Sequence, residues 1–176
     1  MRLLLLDRDG VINEDSDDYV KSVDEWRPIP GSLEAIARLH AAGFTMVVVS
    51  NQSGLGLGLF DRAALDAMHA EMNRRIEAAG GRLAGIFFCP HAAAEGCDCR
   101  KPQQGLLRQL EAELDVAVEG CPLVGDKASD LELAKRAGCE PLLVRTGYGR
   151  ATERQTDLAG VRVFDDLAAV AEELLG

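Results

Sequence analysis

Short apolar runs alternate with longer amphipathic stretches along this chain, and that alternation leaves few folds open. Arg2 to Leu6 reads as a strand, and Phe44 to Val49 is a valine-rich run of the kind buried inside a parallel sheet. Gly85 to Phe88, Pro122 to Val124 and Pro141 to Val144 repeat the pattern, with Arg162 to Phe164 as a last edge strand. Between them, helices are expected from Ser32 (as N-cap) to about Ala42, Asp61 to Ala79, Gln104 to Leu114, Ser129 or Asp130 to Gly138, and Asp165 to Leu175. The stretch holding Trp26, Pro28 and Pro30 reads as a long polar loop. Strands alternating with helices imply an α/β fold, a doubly wound (Rossmann-like) parallel sheet with helices on both faces. At 176 residues, with no linker or repeat, one domain spanning 1–176 is expected.

In such a sheet, ligands bind outside the carboxyl ends of the strands. Four strands here end in reactive residues: Asp7 and Asp9, Ser50 and Asn51, Cys89 and His91, and Gly125 and Asp126. Asp7-Arg8-Asp9-Gly10 places two acids two residues apart, so that one can serve as nucleophile and the other as acid and base. A carboxylate attacking an anionic phosphate needs a cation between them, and Asp126 can complete an oxygen-ligand Mg²⁺ site with the N-terminal acids. Ser50 and the amides after it can bind phosphoryl oxygens, and Lys101 can offset their charge. Each motif alone has a bland reading: a solvated turn, a polar loop, a helix cap at Asp130, a surface lysine. Their order at successive strand ends argues for a site.

The formal net charge of −10 disfavours a nucleic-acid backbone as partner, because such binding needs a basic face. A small anionic metabolite remains open, since local cations can outweigh the global field. Leu3 to Leu6 is too short for a signal peptide or a membrane span, which points to a cytoplasmic protein without a membrane partner. Cysteines in that setting are thiols or metal ligands. Cys89-Pro90-His91 and Cys97-Asp98-Cys99 supply three thiolates and an imidazole, the donor set of a closed structural Zn²⁺ site. Zinc there would fix a loop short of apolar anchors, together with Arg100 and Lys101 after it. Scattered reduced thiols are the plainer reading. Cys121 and Cys139 lie at strands and are expected to be buried.

These motifs resemble those of the haloacid dehalogenase phosphatases: Asp-x-Asp, a strand-end Ser, a Lys and a late acidic motif. The resemblance implies Asp7 as nucleophile, Asp9 as acid/base and Ser50 and Lys101 as phosphate ligands. It implies Mg²⁺ held by Asp7, Asp126 and the backbone carbonyl of Asp9, with Asp130 in support. The runs Asp7–Asn13, Ser50–Gly54, Cys89–His91, Cys97–Pro102 and Val124–Lys127 are similar to one branch of that superfamily, the heptose-bisphosphate 7-phosphatases and the related histidinol-phosphate phosphatases. That branch implies no large cap domain, shielding loops around Asp15 to Trp26 and at the zinc cluster, and a phosphorylated sugar or related metabolite as substrate. It implies substrate contacts at Asn51, Gln52, Ser53, Arg100, Lys127 and the segment reaching Tyr19. Relatives carry an arginine where this chain has Leu57, so a more apolar entrance is expected from Leu55-Gly56-Leu57-Gly58-Leu59.

The leading expectation is removal of the 7-phosphate from a heptose 1,7-bisphosphate. Histidinol phosphate is the alternative substrate, its ammonium matched to the acids Asp15, Asp17, Asp18 or Asp24. A nucleic-acid end phosphatase fits the acidic composition poorly, and the non-enzymatic alternative is a zinc-stabilised interaction module. The capless, acidic chain is read as a monomer.

Overall fold

The computed structural model describes all 176 residues. Six parallel strands form one sheet: β1 (Arg2–Leu6), β2 (Phe44–Asn51), β3 (Leu83–Cys89), β4 (Pro122–Gly125), β5 (Glu140–Val144) and β6 (Arg162–Phe164), in the order β3-β2-β1-β4-β5-β6. The order reverses between β1 and β4, which opens a crevice beyond the ends of those two strands. Seven helices accompany them: α1 (Ser32–Ala41), α2 (Ser53–Gly56), α3 (Arg62–Ala78), α4 (Gly105–Leu114), α5 (Ala128–Ala137), α6 (Gly149–Gln155) and α7 (Leu167–Leu175).

The two-residue period of a strand sorts the core into two layers. Leu4, Leu6, Met46 and Val48 pack on one face with Ile36 and Leu39 of α1, Met68 and Met72 of α3, and Val170 of α7. Leu3, Leu5, Val47 and Val49 point to the other face, against Leu106 and Leu110 of α4 and Leu133 of α5. Both layers are dry, so β1 and β2 read as unbroken apolar runs instead of alternating ones.

Several local expectations change. Ser32 is the first residue of α1, not its cap; Gly31 takes the cap position at φ 85°, and the Ser32 hydroxyl donates to the Val11 carbonyl at 2.8 Å. Helix α5 begins at Ala128, ahead of both Ser129 and Asp130. Helices α2 and α6 were not expected, being short and without an apolar stripe. The loop after β1 is no polar excursion: Val11, Ile12, Val20, Trp26 and Ile29 are buried, and Arg75 lies 5.6 Å over the Trp26 ring. That loop is therefore moored to the core on the α1–α3 side. No helix is long and apolar enough to cross a membrane.

Candidate active site

The main-chain ladder sets the site. The Asp7 amide donates to the Val124 carbonyl at 2.9 Å, extending the β1–β4 pairing by one residue and bringing Asp7 beside Gly125 and Asp126. Carboxylate oxygens of Asp7, Asp126 and Asp130 lie within 4.8 Å of one another, all three buried. Into this cluster comes the Lys101 ammonium, 3.0 Å from Asp7, 2.6 Å from Asp130 and 2.8 Å from the Val49 carbonyl. Asp130 also accepts the Lys127 amide at 3.1 Å, so the acid expected as a helix cap serves the cluster as well.

Burial, reinforced by Asp130, pushes Asp7 up to about 6; burial pushes Asp126 up to about 8. Against the burial that opposes it, Asp130 and Asp7 hold the Lys101 ammonium above its usual value. Three acids thus share one ammonium at contact distance, Lys127 acting on them from farther off, and Asp126 Oδ1 is buried with no hydrogen-bond partner in the protein. A hard divalent cation supplies the counter-charge such an oxygen set lacks, so Mg²⁺ fits here. Gly10 and Gly147 press on the same carboxylate: a Cβ on either would sit 2.2 or 2.3 Å from Asp126 Oδ2.

Asp9 leaves the same strand end into a different setting. Its Oδ1 accepts from Arg8 Nε at 3.0 Å, Arg8 Nη2 at 2.7 Å and Asn13 Nδ2 at 2.8 Å; its Oδ2 accepts from Gln52 Nε2 at 2.9 Å. Although burial raises it, the Arg8 charge and these donors hold Asp9 below the ordinary carboxylate range. Its side chain is not among the clustered carboxylates. A part in cation binding would fall to its backbone carbonyl, as the resemblance implies.

Above the buried cluster opens a cavity of about 290 Å³. Asp9, Tyr19, Asn51, Gln52, Ser53, Arg100 and Lys127 line it, which gathers every expected substrate contact. Asp7, Ser50, Lys101 and Asp126 lie beneath them. Gln52 donates to the Ser50 hydroxyl at 2.9 Å, linking floor to lining. Asn51 brackets the Lys101 backbone, accepting from its amide at 2.9 Å and donating to its carbonyl at 3.3 Å. Arg100 donates to the Ser53 hydroxyl. The expected apolar entrance is absent: Leu57 and Leu59 project into solvent, and the only apolar lining residues are Tyr19, Val20 and Tyr148.

Tyr148 was not anticipated. It follows β5, whose end also faces the crevice; strand adjacency to β4 was the available signal. Its amide donates to Asp126 Oδ2 at 2.8 Å and its hydroxyl to Asp17, while Lys127 Nζ meets Asp15 at 2.6 Å. These contacts pull the first loop across the cavity.

At the β3 end, Cys89, His91, Cys97 and Cys99 bring their donor atoms within 4.8 Å of one another. The Sγ atoms stand 3.1, 3.5 and 3.6 Å apart, and His91 Nδ1 is 3.2 and 3.5 Å from two of them. Four ligands placed tetrahedrally around zinc at about 2.0–2.3 Å would be separated by about 3.5–3.8 Å, so the set is of the right size and chemistry for Zn²⁺. Glycines lock the loop to its surroundings: a Cβ at Gly105 would meet the Asp98 carbonyl at 2.5 Å, and one at Gly56 the Ala92 amide at 2.5 Å. Cys121 and Cys139 are buried, as expected.

A HAD-hydrolase-like family model matches residues 98–170. The chain is 54% identical to a D-glycero-β-D-manno-heptose-1,7-bisphosphate 7-phosphatase of Bordetella bronchiseptica, over 99% of this chain and 98% of that one. It is 52% identical to the enzyme of the same name from Pseudomonas aeruginosa, over 98% and 97%. Among solved structures, the D,D-heptose 1,7-bisphosphate phosphatase of B. bronchiseptica complexed with magnesium and phosphate superposes with a TM-score of 0.96, at 54% identity over 99% and 98% of the two chains. That from Burkholderia thailandensis gives 0.79 at 41% identity, over 100% and 99%.

The two glycines against Asp126 make a test of the cation site. Gly147→Ala is expected to weaken Mg²⁺ binding, measured by isothermal titration calorimetry, by about tenfold or more, the range seen when supporting groups of a metal site are lost. Gly160→Ala is the control: it has a similar positive φ but open space around its Cβ, and should leave binding within about twofold. Equal effects would show that backbone strain, not the Asp126 contact, is responsible.

Proposed function

The chain belongs to the family of D-glycero-β-D-manno-heptose-1,7-bisphosphate 7-phosphatases within the HAD-like hydrolases, and we propose that it removes the 7-phosphate from the β anomer of that sugar bisphosphate. It is a phosphoric monoester hydrolase. The observation that carries the substrate reading is the two-level charge of the cavity. A phosphoryl group fits over Asp7 and Lys101, and Arg100 at the lining is a second cation for the other phosphate. The acids of the first loop that line this cavity are already engaged, Asp15 by Lys127 and Asp17 by Tyr148. An ammonium-bearing substrate would have to break those contacts, which favours the bisphosphate over histidinol phosphate.

We assign the chemistry as follows. Asp7 Oδ1 is held by the Arg8 amide at 2.7 Å and by Lys101, which leaves Oδ2 to attack phosphorus. As the Asp7–phosphorus bond forms, the bond to the sugar oxygen breaks and Asp9 gives that oxygen a proton. Water, deprotonated by Asp9, then attacks the aspartyl-phosphate and releases inorganic phosphate. Ser50 and Lys101 hold the phosphoryl oxygens through both steps. Mg²⁺, held by Asp7, Asp126 and the Asp9 carbonyl, would supply electrostatic screening between nucleophile and phosphate. Asn51 positions Lys101 by its backbone, and Gln52 orients both Ser50 and Asp9.

We read the Cys89–His91–Cys97–Cys99 cluster as a structural Zn²⁺ site that presents Arg100 and Lys101 to the cavity. We read residues 1–176 as one catalytic unit acting as a monomer on a cytoplasmic metabolite, without nucleic-acid or membrane partners. Supporting this, the large exposed apolar side chains are few and spread over the chain: Tyr19 and Tyr148 line the cavity, Leu57 and Leu59 sit on the loop beyond it, and Met1 and Val23 are the others.

Steady-state assays with both anomers of the heptose bisphosphate, histidinol phosphate and p-nitrophenyl phosphate test the substrate. The β bisphosphate should exceed histidinol phosphate in kcat/KM by about 100-fold or more, as expected when buried polar groups lose their partners. No preference over p-nitrophenyl phosphate would remove the assignment. Asp7→Asn should abolish turnover with an unchanged circular dichroism spectrum; surviving activity would sink the nucleophile. For zinc, native mass spectrometry should find one bound ion. Cys99→Ser should lower both zinc content and melting temperature and raise KM more than it lowers kcat. A zinc-free protein of unchanged melting temperature would exclude the structural site.

A further inference from the structure

One buried polar group has no part in the scheme above. His69 lies on α3, in a row whose other inward residues, Leu65, Met68, Met72 and Ile76, are apolar core. Leucine or methionine would fill its place. Yet its Nε2 stands 3.3 Å from Nη1 of Arg8, the residue between the two aspartates. A guanidinium only donates, so Nε2 is the unprotonated ring nitrogen and the proton is on Nδ1. Burial, assisted by the Arg8 charge, pulls His69 down to about 4 and so keeps it a neutral acceptor near pH 7. The ring also packs against Phe88, 5.6 Å away centroid to centroid.

Arg8 is almost fully buried, and its fork divides its donors. Nε and Nη2 both go to Asp9 Oδ1, while Nη1 points away to His69. With Asn13 the Oδ1 oxygen receives three N–H donors; Oδ2 receives only one, from Gln52. The carboxylate is thereby split into an anchoring oxygen and a working one. A planar guanidinium gripped at one end only can pivot about its side-chain torsions; gripped at both ends it cannot.

We propose that His69 is a positioning residue for proton transfer, which clamps the far end of the Arg8 guanidinium and so fixes the Asp9 carboxylate with Oδ2 free to exchange its proton. The inference rests on the phosphomonoesterase reading in which Asp9 is acid and base; it does not depend on the sugar. Its consequence follows from leaving-group chemistry. An alkoxide must be protonated as it departs, whereas p-nitrophenolate leaves unaided. A misplaced acid therefore slows sugar phosphates far more than p-nitrophenyl phosphate in kcat/KM, which reports only steps through phosphoryl transfer to Asp7.

The test compares His69→Leu and His69→Gln on p-nitrophenyl phosphate and on the best sugar phosphate from the assays above, with melting temperatures recorded. Removing the acceptor in His69→Leu should lower kcat/KM for the sugar phosphate by about tenfold, a fraction of what a general acid supplies, and leave p-nitrophenyl phosphate within about twofold. Glutamine, whose Oε1 can stand in for Nε2, should restore the sugar-phosphate rate to within about threefold of wild type. An equal loss on both substrates, or no loss on either, would overturn the proposal in favour of plain packing. If His69→Leu does not fold, His69→Phe, which keeps a ring but has no acceptor nitrogen, takes its place: a selective loss on the sugar phosphate supports the proposal, and an equal loss on both substrates or none on either overturns it. None of these outcomes mimics a wrong sugar, which would show in the wild-type substrate comparison alone.

Discussion

The Lys101 ammonium is the fixed point of this molecule. It is buried, and it joins three parts of the fold that are distant in sequence: Asp7 at the end of β1, the Val49 carbonyl within β2, and Asp130 in the first turn of α5. Removing one member of such a buried set leaves a charge without compensation, at about 3–5 kcal/mol. Lys101 is carried on a loop that contributes little apolar burial of its own. Its placement depends on polar and packing ties instead: the Asn51 bracket on its backbone, Gly105 against Asp98 and Cys99, and the three cysteines and one histidine brought together beside it. Zinc bound at that point would stabilise the charge pattern around Lys101 without joining it.

The global charge of −10 conceals this local order. Where the phosphates are expected, the cations are few and each is held: Lys101 by Asp7 and Asp130, Lys127 by Asp15, and Arg100 by the Ser53 hydroxyl. Such pairing keeps a cation oriented and desolvated in advance, so that a ligand phosphate meets fixed dipoles rather than mobile side chains. It also performs mechanical work for a chain with no cap domain. The Lys127–Asp15 and Tyr148–Asp17 contacts draw the first loop over the cavity from the β4 and β5 side, and the core anchors Val20, Trp26 and Ile29 hold its base. Closure is obtained from a loop with buried feet.

What could be read from the sequence follows the same physics. The strands were legible because both faces of a central parallel sheet are dry, which turns Leu3–Leu6 and Phe44–Val49 into unmistakable apolar runs. The clustered acids and the grouped Cys and His side chains were legible because strand ends are fixed by strand order. Caps were not: a serine before an apolar stripe suits an N-cap, but Ser32 found a better acceptor in Val11, a contact across the fold that no local pattern records. The same holds for Trp26, whose burial is decided by α3, and for α6, held by Thr152 donating to the Asp126 carbonyl at 2.7 Å. Tyr148 and His69 went unseen for a related reason. Their contacts are long-range, Tyr148 with Asp126 and Asp17 and His69 with Arg8, and single residues at ordinary helical or loop positions carry no spacing to betray them.

Two aspartates two residues apart illustrate why a motif alone does not assign roles. The fold gives Asp7 a dry setting against other acids and raises it to about 6, and it gives Asp9 a shell of N–H donors that lowers it. Without a cation this order is the reverse of what attack and acid catalysis would require. Ligands correct both. A divalent charge beside Asp7 and Asp126 favours the anionic nucleophile, while a phosphate entering next to Asp9 adds negative charge that favours its protonated form. In the mechanism proposed above, Asp9 would thus be readied as an acid by the arrival of the group it serves, and once the alkoxide has taken its proton the same donor shell would favour the carboxylate that activates water. For that cycle the carboxylate has to change charge without changing place, which is the demand that a clamp on its anchoring oxygen meets.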